Sequence, residues 1–286
     1  MFETLWRRLN RWGSAAVEIN DRCLALWAPG ADAPVMAPLP LGLVQNGIPK
    51  TTAAIGDLLG DLVLQADLNL RAAAAVLPSG ETEWRRLRLA PDGVLQPQQL
   101  PLGEDDSNLT LLPLGEPGEW MALLNQRQTI DRWIEVFAIA DLELDFLEVA
   151  ELAQMRALGL EFANPHTPDC MLLDLQLGGS FFTLIQQGLP AYRHRLSPVG
   201  VSETETANFL SQLKQLLAYL DRQQLEDLPV WLLGCQLLEL DLAKKLVAIS
   251  NNRLQLMPLN GIGSGDPLTD ATFAGLIGTV QRITDG

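Results

Sequence analysis

The sequence predicts an α/β protein built from two related lobes, each a mixed sheet flanked by helices. Three observations carry that prediction. The chain has 286 residues, more than the roughly 100–200 of one ordinary domain. A strand–strand–strand–helix–strand pattern occurs twice, roughly 155 residues apart, and a repeat of this length marks a duplicated structural unit. Between the two copies lies a Pro-, Gly- and Gln-rich stretch with short apolar runs of its own, which reads as a small inserted α+β subdomain. Hydrophobic residues make up 48% of the chain, enough to fill two cores.

The elements follow in order. Residues 15–20 and 23–28 are apolar runs separated by Asp21 and Arg22, the pattern of a β-hairpin. After the Pro29-Gly30 turn, residues 35–43 read as a third strand. Ile55, Leu58, Leu59, Leu62 and Val63 recur at helical spacing behind Thr51 and Thr52. Residues 70–77 form a buried strand that stops at Pro78-Ser79-Gly80. The second copy begins with residues 171–175, continues with 180–185, turns at Gln187-Gly188 and returns through 189–196. Phe209, Leu210, Leu213, Leu216, Leu217 and Leu220 form one helical stripe, and residues 229–233 are the buried strand after it. In the intervening segment, 109–114, 120–124 and 142–146 read as strands, while Ile130, Trp133, Ile134 and Phe137 mark a helix. Residues 149–158 and 271–283 are further helices, the last closing the fold on the first lobe. The expected boundaries are 1–12 for an amphipathic N-terminal helix, 13–90 for the first-lobe core, 91–165 for the insertion and connecting helix, 166–269 for the second lobe and 270–286 for the C-terminal helix.

Charge and composition exclude several functions. Thirty-five acidic residues against 20 lysines and arginines give a net charge of −15, the wrong sign for a nucleic-acid binder, which needs clustered cations for phosphates. Two histidines and three scattered cysteines supply neither a disulfide framework nor the donor set of a zinc centre. No run approaches the roughly 20 apolar residues of a membrane span. Phe2, Leu5, Trp6 and Leu9 share one helical side while Arg7, Arg8 and Arg11 fall largely on the other. Such a helix can lie on an anionic membrane surface or pack on a partner.

The duplicated β-β-β-α-β-α plan resembles the two-lobed actin-like fold (sugar kinase/Hsp70, RNase H-like). That fold carries a nucleotide in glycine-rich turns at three places. The first corresponds here to Glu18, Asn20 and Asp21, the second to Asp174 followed by Gly178 and Gly179, and the third to Gly234 followed by Cys235 and Gln236. Within the fold, the order of segments is similar to the PilM-like proteins of type IV pilus assembly, themselves related to FtsA. The opening hairpin at 15–28, the strand ending in a Leu-Pro turn at 75–80, the stretch 130–158 with its EVAELAQMRAL helix, and the hairpin at 171–200 carry the resemblance, which spans nearly the whole chain.

The resemblance implies a cytoplasmic scaffold at the inner face of the membrane, binding the cytoplasmic tail of a PilN-like inner-membrane protein. The family's tail groove lies between the first-lobe core and the insertion, so Ile130, Trp133, Ile134 and Phe137 are the expected core and groove positions. It also implies Mg·ATP as cofactor, but each loop departs from the pattern. Glu18 stands for a shorter aspartate, Asn20 and Gln176 stand where glycines let backbone approach phosphate, and only Gly234 survives in the third turn. Weak or lost ATP binding is therefore expected, with no residue assigned a catalytic role and no metal site. The alternatives are an active actin-like Mg-ATPase, with Asp174 and Glu18 holding the ion, and a GspL-like cytoplasmic domain of type II secretion.

Other motifs have plainer readings. His166, Asp169 and Cys170 sit in a proline-stiffened connector, and residues 260–266 form a Gly-rich loop without the lysine of a phosphate loop. Arg193 and Arg195 alternate on a strand whose face is expected to be solvated, and Glu203 and Glu205 suit the first turn of a helix.

Overall fold

The computed structural model describes residues 13–45, 47–89, 107–199, 202–235, 242, 246, 253–256 and 263–285. The predicted N-terminal helix, with Phe2, Leu5, Trp6 and Leu9, lies outside the described residues, as does most of the expected helix after Gly234.

Each lobe is a five-stranded sheet of the same design. In the first, β1 (Gly13–Ile19), β2 (Cys23–Trp27) and β3 (Val35–Pro38) form an antiparallel meander, and β6 (Leu70–Leu77) and β10 (Glu143–Val149) add parallel strands, giving the order β10-β6-β1-β2-β3. In the second, β11 (Cys170–Asp174), β12 (Ser180–Gln186) and β13 (Leu189–Leu196) form the meander, with β14 (Val230–Leu233) and β15 (Leu254–Leu256) parallel beside them. The third strand ends at Pro38 rather than Leu43, because Pro38 and Pro40 have no N–H for a ladder. A two-stranded ribbon of β4 (Val44–Gln45) and β5 (Ile48–Pro49) follows it.

Helix α1 (Thr52–Gln65) buries Ile55, Leu59, Leu62 and Val63, the stripe its spacing predicts. It packs with α2 (Arg127–Ile139), and together they cover one face of the first sheet around Val17, Ile19 and Leu24. Helix α3 (Ala150–Ala157) and the C-terminal α6 (Ala274–Asp285) cover the other face, where Ala16 and Trp27 join a core continuous with the second lobe. At their crossing, Gly278 lies so close to α3 that an added Cβ would stand 1.8 Å from the Ala153 carbonyl oxygen. In the second lobe α4 (Glu203–Arg222) is capped by Ser202, whose hydroxyl accepts from the Glu205 amide at 3.2 Å, and α5 (Pro267–Thr272) starts at an Asp266 cap.

The inserted unit is an antiparallel sheet of β7 (Thr82–Arg88), β9 (Glu119–Gln126) and β8 (Ser107–Pro113), in that order. Its strands run from 82 to 126, so the insertion starts earlier and ends earlier than the sequence suggests. The helix holding Trp133 and Phe137 and the strand after it belong to the first-lobe core.

Candidate functional site

The carboxyl ends of β1 and β6 face those of β11 and β14 across the seam between the lobes. Glu18 and Asn20 at the end of β1, Asp174 and Gln176 at the end of β11, and Gly234 after β14 line one small cavity with Ser79, Gln154 and Gly275. Gly178 and Gly179 line a neighbouring one with Asn20, Gly80, Gln176 and Phe181. The fold thus gathers six of the seven expected loop residues. Asp21 does not join them; its Oδ1 accepts from the Gly47 amide at 2.9 Å and ties the hairpin to the β4–β5 ribbon.

Burial dominates the electrostatics. Desolvation pushes the Glu18 carboxyl up from 4.5 to about 7; an Asn20 hydrogen bond opposes this and the Asp174 charge reinforces it. Asp174 is only 2% exposed, and burial raises its pKa despite the hydrogen bonds it accepts. Its Oδ1 accepts from Gln176 Nε2 at 2.7 Å and its Oδ2 from Gln154 Nε2 at 3.1 Å. Gly234 has φ +98°, and a Cβ there would meet Asp174 Oδ1 at 2.3 Å, so only glycine fits this turn.

The seam is fastened at its rim. Arg193 on β13 pairs with Glu151 of α3 at 2.6 Å and donates to the Thr82 carbonyl at 2.6 Å. Arg193 and Arg195 share a face, as their alternation predicts, and both lie over the Phe181 ring, at 5.0 and 5.7 Å; Arg195 is exposed, as expected, while Arg193 is half-buried. Gln154 and Glu151 carry no sequence signal for this role; their position comes from α3 docking under the second lobe. In the connector, Asp169 accepts from the Gln187 amide at 3.0 Å, a turn contact and not a reactive arrangement.

The described part of the site leaves little open space. The two cavities have free volumes of about 20 and 50 Å³, against roughly 300–1,000 Å³ for a small-molecule site. Both Asp174 oxygens already accept amide N–H groups. Among the described residues no three His, Cys, Asp or Glu side chains gather to hold a metal.

A second feature is a groove of about 530 Å³ between the insertion and the first lobe. Leu109 and Leu112 of β8, Ile130 and Ile134 of α2, and Leu144, Phe146 and Leu147 of β10 line it, with Arg282 at one side. Both β8 and β10 are edge strands of their sheets. Of the four expected partner residues, Ile130 and Ile134 line the groove and Ile134 is 50% exposed, whereas Trp133 and Phe137 are fully enclosed in the core. Asp131, Glu135, Glu143 and Asp145 are exposed on α2 and β10. At the Arg282 end, Glu148 is held at two points by Arg156, at 2.7 and 2.8 Å, and by Arg282 at 3.2 Å; the Arg282 guanidinium stacks 4.2 Å over Phe146. No helix among the described residues is long and apolar enough to cross a membrane.

No protein-family model matches the chain, and no curated protein does. Solved structures do. A chain of the PilM–PilN type IV pilus biogenesis complex superposes with a TM-score of 0.69 at 17% identity, over 94% of this chain and 98% of that one. The ethanolamine utilization protein EutJ from Carboxydothermus hydrogenoformans gives 0.57 at 12% identity, covering 93% and 89%. MreB 5 of Spiroplasma citri bound to AMPPNP gives 0.55 at 10% identity, covering 96% and 97%. The chain therefore has the actin-like fold, and over nearly its whole length its architecture is that seen in the type IV pilus complex.

Proposed function

We propose that this protein is a scaffold of a type IV pilus or related secretion machine, working at the cytoplasmic face of the inner membrane. It holds the cytoplasmic tail of a PilN-like membrane partner and binds ATP weakly or not at all. The observation that carries the reading is the groove between β8 and β10. Its volume suits an extended peptide, its floor is apolar, and two sheet edges border it. Edge strands offer unpaired N–H and C=O groups along their length, and a peptide added there gains main-chain hydrogen bonds and apolar anchoring together. The exposed acids on α2 and β10 favour a basic tail and speed its encounter. The structural likeness to a chain of the PilM–PilN complex supports the same assignment.

A membrane pull-down tests it. The wild-type chain is expected to recover a small protein with one membrane span and a short basic cytoplasmic tail. Ile134→Asp, which changes an exposed groove position and no enclosed one, is expected to lose that partner while keeping its fold. Equal recovery by both proteins, or recovery of no such partner, refutes the assignment.

A further inference from the structure

We propose that Asn20 and Gln176 act as built-in occupants of the two hairpin turns, so that the interlobe cleft is a clasp closed by the protein's own side chains. The inference rests on the reading that the chain takes nucleotide weakly or not at all, and supplies its cause.

Asn20 caps the first turn from within. Its Oδ1 accepts from the Arg22 amide at 3.0 Å and the Cys23 amide at 2.9 Å. Consecutive amides pointing into one turn form a ready anion site; here their protons are already used. The other end of the same side chain donates from Nδ2 to Glu18 Oε1 at 3.3 Å, giving that carboxylate an amide partner in place of a cation.

Gln176 does the equivalent in the second turn. Its Nε2 donates to Asp174 Oδ1 at 2.7 Å and its Oε1 accepts from Cys235 Sγ at 3.1 Å, bridging β11 to the turn after β14. Gln154, from the first lobe, takes the remaining Asp174 oxygen. A ligand entering here must break these bonds and displace two side chains from a seam with almost no free space. Asn20 Oδ1 and both Asp174 oxygens are thus matched internally, which lowers the cost of burying them; Ser180 Oγ and Gln154 Oε1 are buried close by without a partner among the described residues.

Glycine at both positions removes the caps and frees the turn amides. The test compares wild type with Asn20→Gly/Gln176→Gly, each titrated calorimetrically with Mg·AMPPNP, the nucleotide bound by a protein of the same fold. The double variant is expected to bind at least about tenfold more tightly than wild type, a difference well within calorimetric range. Cys235 gives a second readout, since it is fully buried behind Gln176. Alkylation under native conditions, located by mass spectrometry with Cys170 as internal reference, is expected to be about tenfold faster at Cys235 in Gln176→Gly. That single variant carries the test if the double variant does not fold. Micromolar binding by wild type overturns the underlying reading of the cleft. Silence from wild type and variants alike, with Cys235 equally protected in all, overturns the clasp.

Discussion

Glu18 gives the sharpest physical prediction. It is 9% exposed, at the end of β1, and desolvation lifts its carboxyl from 4.5 to about 7. In the unfolded chain it ionises near 4.5, while in the folded chain it keeps its proton until near neutrality. Between these values the folded state binds one more proton than the unfolded state, so stability falls as pH rises. At about 1.4 kcal/mol per pH unit, the loss across the window from 4.5 to about 7 is about 3 kcal/mol. Stability from this group is fully present below 4.5 and gone above 7. Asp174 and Glu151 are raised by burial as well, so wild type is expected to weaken further in the same direction.

Glu18→Gln isolates the effect, because the amide oxygen still accepts from Asn20 and nothing ionises. Urea unfolding at pH 5, 6, 7 and 8 measures it. The two proteins should be close in stability at pH 5, and the variant should exceed wild type by about 3 kcal/mol at pH 8. A difference that stays constant with pH refutes the reasoning, since it means that Glu18 is already ionised in the fold.

Two further predictions concern packing. Gly278→Ala forces α6 away from α3, because the new methyl meets the Ala153 carbonyl; thermal unfolding should register a loss of about 1–3 kcal/mol, the usual cost of overpacking. Arg156→Met leaves the nearly inaccessible Glu148 with Arg282 as its remaining ion-pair partner. Because Arg282 and the Thr279 hydroxyl still face Glu148, the loss should stay below the roughly 3–5 kcal/mol of orphaning a buried charge; denaturant unfolding should show it, with partial rescue by the added change Glu148→Gln.

The duplication was legible because apolar period and turn residues are local signals. The hairpin at Asp21-Arg22, the stripe from Ile55 to Val63 and the strand closed by Pro78 each announce themselves within a dozen residues. The loop positions were legible through the resemblance to the actin-like fold, which places Glu18, Asn20, Asp174 and Gly234 at strand ends, where the structure has them. The strand Thr82–Arg88 was hidden, because its three arginines mask the alternation of Thr82, Trp84 and the neighbouring core. Trp133 and Phe137 share one helical stripe with Ile130 and Ile134, so spacing had no means of separating enclosed positions from groove positions.

The sequence by itself determined two lobes, their strand order within each meander, and three turns poor in the glycines that admit phosphate. Only the tertiary structure decided which side chains meet in those turns. Hydrogen bonds from Gln154 to Asp174 and from Cys235 to Gln176 join residues 20 and 59 positions apart in the chain, and the groove needs β8, α2 and β10 to be brought side by side. Such contacts depend on how elements dock, and docking is set by the summed burial of whole faces, which no local pattern encodes.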